Sequence, residues 1–294
     1  MKPASFNYLR PKTVPEAIEM LVAHGGDAKI IAGGQSLVPM MNFRLLTPGV
    51  LVDINGIAEL NAIDQTAGGV VRIGALVRHH QLMSAPVISA RYPVLTLAMR
   101  HVAHLAIRNR GTIGGSLSHA DPAAELPMMA VLLDATLRLV GPNGSRDVAA
   151  ASFFTGALST VLASEELLTE VLLPQPKFKG WAFHEFAARA GDFALAGVGI
   201  TLTSIDDRAA DVRIAVMGVG DTPLRMTAAE EVINGRSIDA QSIDAAVEAV
   251  RVTVMPSDDL HGSAEYRRHL VGGLVRRSLQ DAWLRAVSQS KEQL

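Results

Sequence analysis

The chain has 294 residues, 49% of them hydrophobic and 19% charged, with a formal net charge of -2 at neutral pH. That length accommodates one large domain or two ordinary ones with a real apolar core, and the composition excludes a disordered or solvating role. The small net charge, with no basic stripe interleaved with aromatics, argues against nucleic acid as a partner.

The chain contains no cysteine. This excludes a disulfide framework, a thiolate nucleophile, a cysteinyl flavin link and any iron–sulfur cluster held by its own cysteines. Residues 1–10 are mixed and polar, with no apolar run behind Lys2. No stretch reaches the roughly 18 apolar residues of a membrane span. A cytoplasmic setting with no transmembrane segment is therefore expected.

In chain order, Thr13-Val14-Pro15-Glu16 reads as a capping box opening a helix, with Ile18, Leu21 and Val22 on one face and Gly25-Gly26 ending it. Lys29 to Ala32 has a buried-strand pattern that runs straight into Gly33-Gly34. Leu51 to Ile54 and Val70 to Gly74 resemble two further strands, and Leu82 to Met99 turns helical. Asp121-Pro122 offers an N-cap and a first helical position for another helix. Leu137 to Val140 leads into the turn Gly141-Pro142-Asn143-Gly144, which predicts a hairpin.

Pro174-Gln175-Pro176-Lys177 marks a domain boundary. Beyond it, Trp181 to Phe186, Gly197 to Ser204 and Val212 to Val219 read as strands, the last two separated by Asp206-Asp207. Helices follow at Thr227 to Asn234, Ser242 to Val250 and Ser263 to about Val287, with Thr227 and Glu230 as a second capping box. This order predicts an α+β fold rather than a doubly wound sheet. The expected division is a first domain over 1–175, with subdomains of about 1–58 and 59–175, and a C-terminal domain over 178–288 built on a three-stranded sheet with helices.

Two glycine loops carry the chemistry. One is Ala32-Gly33-Gly34-Gln35-Ser36, directly after a strand; the other runs from Arg108 through Asn109-Arg110-Gly111-Thr112-Ile113-Gly114-Gly115 to Ser116. Paired glycines remove side chains that would keep a diphosphate from the backbone, and their amides can face its oxygens. Ser36, Thr112 and Ser116 add neutral hydroxyls. Neither loop is a Rossmann or Walker motif. Taken singly, each reads more often as just a tight turn; two such loops with flanking hydroxyls bring a dinucleotide site level with that reading.

Together with Ala120 to Pro127, Phe153-Phe154-Thr155-Gly156, Glu166-Leu167-Leu168, Arg189 to Ala194 and Tyr266 to Leu270, these loops resemble, in order and over nearly the whole chain, the FAD-binding medium subunit of the molybdenum hydroxylases. The resemblance is to the branch of the xanthine dehydrogenase family that includes carbon monoxide dehydrogenase. It implies a p-cresol methylhydroxylase-type FAD-binding fold in two subdomains plus a smaller C-terminal domain. It further implies non-covalent FAD in this chain, with the molybdopterin cofactor on a large partner subunit and [2Fe–2S] clusters on a small one, assembled as a dimer of heterotrimers. Electrons would reach the flavin from the clusters and leave to an external acceptor. The lack of cysteine departs from relatives whose flavin subunit carries a further cluster.

The residues that the resemblance assigns to FAD are Ile31, Ala32, Gly33, Gly34, Gln35, Ser36 and Leu37 in the first loop, and Thr112, Ile113, Gly114, Gly115 and Ser116 in the second. Glu125 matches a position near the ribityl chain where an aspartate is common, and is otherwise a surface helix carboxylate. Leu168 matches a backbone contact to the isoalloxazine ring, and is otherwise a core leucine. His184 stands where xanthine dehydrogenases have a lysine, and is otherwise an ordinary strand histidine. Asp121 is either a helix cap or a ligand. No residue set suggests a metal site or proton-transfer catalysis on an organic substrate; the flavin would carry the electron chemistry. Two rivals are a self-contained flavin oxidase or dehydrogenase and a non-catalytic nucleotide-binding assembly subunit.

Overall fold

Thr13 sits in an extended conformation and accepts the amide of Glu16 on its hydroxyl (3.3 Å), which starts the helix Val14–His24. Glu16 reaches back to the amide of Lys12 (2.8 Å) rather than to Thr13, so the box closes one residue early. Ala17, Ile18 and Leu21 are buried, whereas Val22 turns half outward. Gly25 ends the helix with φ +52°, a left-handed value that favours glycine. The structure, a computed structural model, describes residues 2–291.

The chain divides into two compact units, one comprising Met1–Leu82, His104–His119 and Ala135–Gln175, the other Met83–Ala103, Ala120–Asp134 and Pro176–Leu294. The linear division near residue 175 is therefore crossed twice, by 83–103 and 120–134. In the first unit, Asn7–Leu9, Val50–Asp53 and Ala28–Ile31 form a parallel sheet with Val50–Asp53 in the middle. All four residues of that central strand are buried, as expected where both faces are covered. A second sheet is antiparallel, in the order Ile63–Gln65, Val71–Gly74, Leu167–Leu173, Thr136–Gly141, Gly144–Ala149. Its last two strands meet across Pro142-Asn143 in the hairpin read from the sequence.

In the second unit, Gly180–Ala187, Ala194–Ile205 and Arg208–Met217 pair in a meander. The turn residues Asp206 and Asp207 both have positive φ, the twist a two-residue hairpin needs. The sheet has four strands, not three. The extra edge strand, Leu224–Arg225, is two residues long and too short to leave an alternating pattern. The helix Glu125–Leu132 packs on the strands Ala194–Ile205 and Arg208–Met217, with Leu126 through Leu132 buried all round. Gly199 makes this possible, because a Cβ there would come within 2.8 Å of Met129 and Leu132. The long helix Ala264–Lys291 buries Val271, Val275, Leu279, Ala282 and Ala286 at helical spacing.

Three local expectations are corrected. The helix after Asp121 starts only at Glu125; Asp121 caps a turn instead, accepting the amide of Ala123 (2.8 Å). Thr227 does not cap its helix. Glu230 is drawn into the core, where it accepts the amide of Ile214 (2.8 Å) and binds Arg225. The real capping box is Asp239 with Ser242. The stretch read as one helical pattern up to Met99 is three short helices, His79–Ser84, Pro86–Arg91 and Pro93–Met99, the latter two each opening on a proline.

Candidate functional site: two glycine loops

The strand Ala28–Ile31 delivers the first loop, Ala32 to Ser36, which runs into the short helix Leu37–Asn42. Gly34 has φ +72°, so a side chain there is strained whatever the space. Among the described residues, the amides of Gly34, Gln35 and Ser36 donate to no acceptor, and the Ser36 hydroxyl makes no capping bond. The Gln35 side chain folds back onto the Gly33 carbonyl (3.0 Å). Successive open amides of this kind form an anion-binding concavity. Beside them lies a pocket of about 300 Å³ lined by Ile31, Gly33, Gly34, Gln35, Val38, Pro39, Asn42 and Arg110.

The second loop is built differently. The Gly111 amide donates to Ile107 (2.7 Å), Ile113 to Val77 (3.0 Å), Gly114 to Ala75 (2.9 Å) and Ser116 to Thr112 (3.0 Å). Gly115 donates to the hydroxyl of buried Thr112 (3.1 Å). The glycines also answer to protein packing. A Cβ on Gly114 would lie 2.5 Å from that of Ala75, and one on Gly111 2.8 Å from the ring of His79. A Cβ on Gly33 would lie 2.5 Å from the Arg110 carbonyl, so the two loops touch backbone to backbone. The sequence reading has Gly33 and Gly114 clearing space for a ligand; the space they clear is occupied by this chain. What the second loop has left to offer a ligand is therefore its side chains.

A polar chain ties the loops together. Tyr8 donates to Asp53, whose other oxygen accepts the backbone amide (2.9 Å) and the side-chain amide (2.5 Å) of Asn55. The Asn55 side-chain amide also donates to the Ala32 carbonyl (2.9 Å), and its oxygen accepts from Arg78 (2.6 Å). Arg78 donates from its other terminal nitrogen to the Arg110 carbonyl. Burial pushes the Asp53 carboxyl up, but the Tyr8 and Asn55 hydrogen bonds and the Arg10 charge outweigh it and hold the group below the usual carboxylate range. Beneath Gly111 lies His79, whose pKa burial lowers to about 4, with the Arg108 and Arg78 charges acting in the same direction. It is a neutral imidazole at physiological pH.

Leu168 has a buried side chain and pairs with Leu139, and the ladder to Thr136–Gly141 slips just after it, before Glu170. Glu125 and His184 belong to the second compact unit: Glu125 begins the buried helix, and the His184 Nε2 is engaged by Asp281 at 2.7 Å. Sequence reasoning missed Asn55, Arg78, His79, Val38, Pro39 and Asn42. Only Asn55, two residues after an aspartate, carried a local signal. Arg110 was quoted in the loop motif but not as a site residue. Among the described residues no group of three or more metal-ligating side chains occurs, and no helix is long and apolar enough to cross a membrane.

The chain matches two family models, the FAD binding domain in molybdopterin dehydrogenase over residues 4–176 and the CO dehydrogenase flavoprotein C-terminal domain over 181–282. It is 39% identical to the nicotine 6-hydroxylase medium subunit of Paenarthrobacter nicotinovorans, covering 97% of this chain and 100% of that one. It is 37% identical to the carbon monoxide dehydrogenase medium chain of Hydrogenophaga pseudoflava, over 97% and 99%. The solved structure of the H. pseudoflava carbon monoxide dehydrogenase superposes with a TM-score of 0.95 at 38% identity, over 97% of this chain and 99% of that one. Quinoline 2-oxidoreductase from Pseudomonas putida 86 superposes at 0.93 and 37%, with the same coverage. A fold matched along its length and both family domains in order thus agree: the chain belongs to the FAD-binding medium subunits of the molybdenum hydroxylases, the carbon monoxide dehydrogenase type among them.

Proposed function

We propose that this chain is the electron outlet of a molybdenum hydroxylase complex, where electrons collected on the iron–sulfur clusters of a small partner subunit leave for an external acceptor at bound FAD, which supplies the redox chemistry. The substrate would be oxidised at a molybdopterin cofactor on a large partner subunit. The observation that carries the FAD site is the run of open amides at Gly34, Gln35 and Ser36 beside a pocket lined by the same loop. Those amides and the Ser36 hydroxyl hold the diphosphate as neutral donors. The second loop adds the Ser116 hydroxyl, and the backbone of Leu168, next to the slip in its ladder, meets the isoalloxazine ring. With no cysteine, attachment through a thioether is excluded.

The test is anaerobic mixing of the FAD-loaded chain, purified without partners, with the substrate of the intact complex. The expected result is no bleaching of the flavin's visible band, although dithionite bleaches it fully. Rapid bleaching by substrate alone would overturn the outlet reading in favour of a self-contained flavoenzyme. A chain that takes up no FAD at all would overturn the site itself.

A further inference from the structure

Arg78 bonds the second glycine loop directly and reaches the first through Asn55. One terminal nitrogen donates to the Arg110 carbonyl in the second loop. The other donates to Asn55 (2.6 Å), whose amide holds the Ala32 carbonyl at the mouth of the first loop (2.9 Å). Asn55 is itself fixed from behind by Asp53, and Asp53 by Tyr8. The Arg110 carbonyl that Arg78 grips is also the atom against which Gly33 packs. One planar guanidinium with two diverging donors thus spans the contact where the loops meet, a geometry that a single ammonium cannot reproduce.

We infer that Arg78 and Asn55 form a clamp that sets the spacing of the two glycine loops and thereby the width of the diphosphate site, Arg78 acting as a positioning residue rather than as a phosphate ligand. The inference rests on the FAD reading above. Holding the open amides of Gly34 to Ser36 in place before FAD arrives removes the ordering that binding would otherwise require. The clamp's contribution should therefore appear in cofactor affinity more than in the stability of the FAD-free chain.

The test measures FAD dissociation by recovery of flavin fluorescence, and thermal unfolding of the FAD-free chain, for wild type, Arg78→Lys, Asn55→Ala and the double variant. Each single variant should weaken FAD binding by about tenfold to a hundredfold, the scale of one hydrogen bond involving a charged group. The double variant should lose little more than the worse single one, because both cut the same chain of bonds. The unfolding midpoint of the FAD-free chain should barely move. Recovery of wild-type affinity by Arg78→Lys would overturn the clamp, since charge alone would then suffice. So would unchanged affinity with a lowered midpoint, or additive losses. Failure of the wild-type chain to bind FAD would instead defeat the FAD reading and this inference with it, whereas FAD binding by wild type with unchanged affinity in every variant would defeat the clamp alone.

Discussion

The two glycine loops look alike in sequence and differ in what their backbones have left to give. In the first, three consecutive amides and a hydroxyl are uncommitted, and Gly34 is glycine because its φ of +72° asks for one. In the second, five amides between Gly111 and Ser116 are already bonded within the protein, and Gly111 and Gly114 are glycine because His79 and Ala75 occupy the space a side chain would need. A Gly-Gly pair thus marks either a surface offered to a ligand or one closed against the chain itself. In the site proposed above, the first loop is the receptor and the second the wall it is built against.

Substitutions that separate these roles should differ in kind. Gly34→Asp should have the largest effect, since it combines left-handed strain of about 1–3 kcal/mol with a carboxylate beside the diphosphate. FAD affinity should fall by more than about a hundredfold, read as flavin content after gel filtration. Retention of full flavin would remove the first loop from the site.

His79 provides the next test, through pH. Its pKa is about 4 in the folded chain, against the ordinary 6.5. Below 6.5 the unfolded chain therefore takes up a proton that the folded chain refuses. The stabilisation is full above pH 6.5 and is lost as pH falls toward 4, by up to about 3 kcal/mol. Denaturant titrations at stepped pH should show a shallower loss in His79→Leu than in wild type. Equal slopes would mean that the imidazole beneath Gly111 is not neutral and buried as described.

Gly114→Ala should cost about 1–3 kcal/mol of stability through overpacking against Ala75, while the folded fraction keeps its FAD affinity. A stable variant that loses FAD would show that the second loop meets the diphosphate through the very space this chain fills.

Much of this was legible in the sequence, and the limits have a physical pattern. The strand before Gly33-Gly34, the Pro142-Asn143 hairpin, the Asp206-Asp207 turn and the long C-terminal helix follow from local periodicity and turn chemistry, so they emerged close to their observed bounds. What failed was decided at a distance. Glu230 has the spacing of a capping residue but is taken by Arg225 and the Ile214 amide. Segment 120–134 joins the second unit through the helix Glu125–Leu132, which is buried all round and has no polar face to advertise its neighbours. In the site, both glycine pairs were visible, but Ala75 and His79 lie more than thirty positions before the glycines they confine. Nothing in either loop tells which one has amides to spare.

The most direct measurement is amide hydrogen exchange of the chain with and without FAD. Peptides covering Gly34 to Ser36 should exchange fast in the FAD-free chain and become strongly protected on loading. Peptides covering Ile113 to Ser116 should be protected beforehand and change little. Strong FAD-dependent protection confined to 113–116, with 34–36 unaffected, would reverse the assignment of receptor and wall.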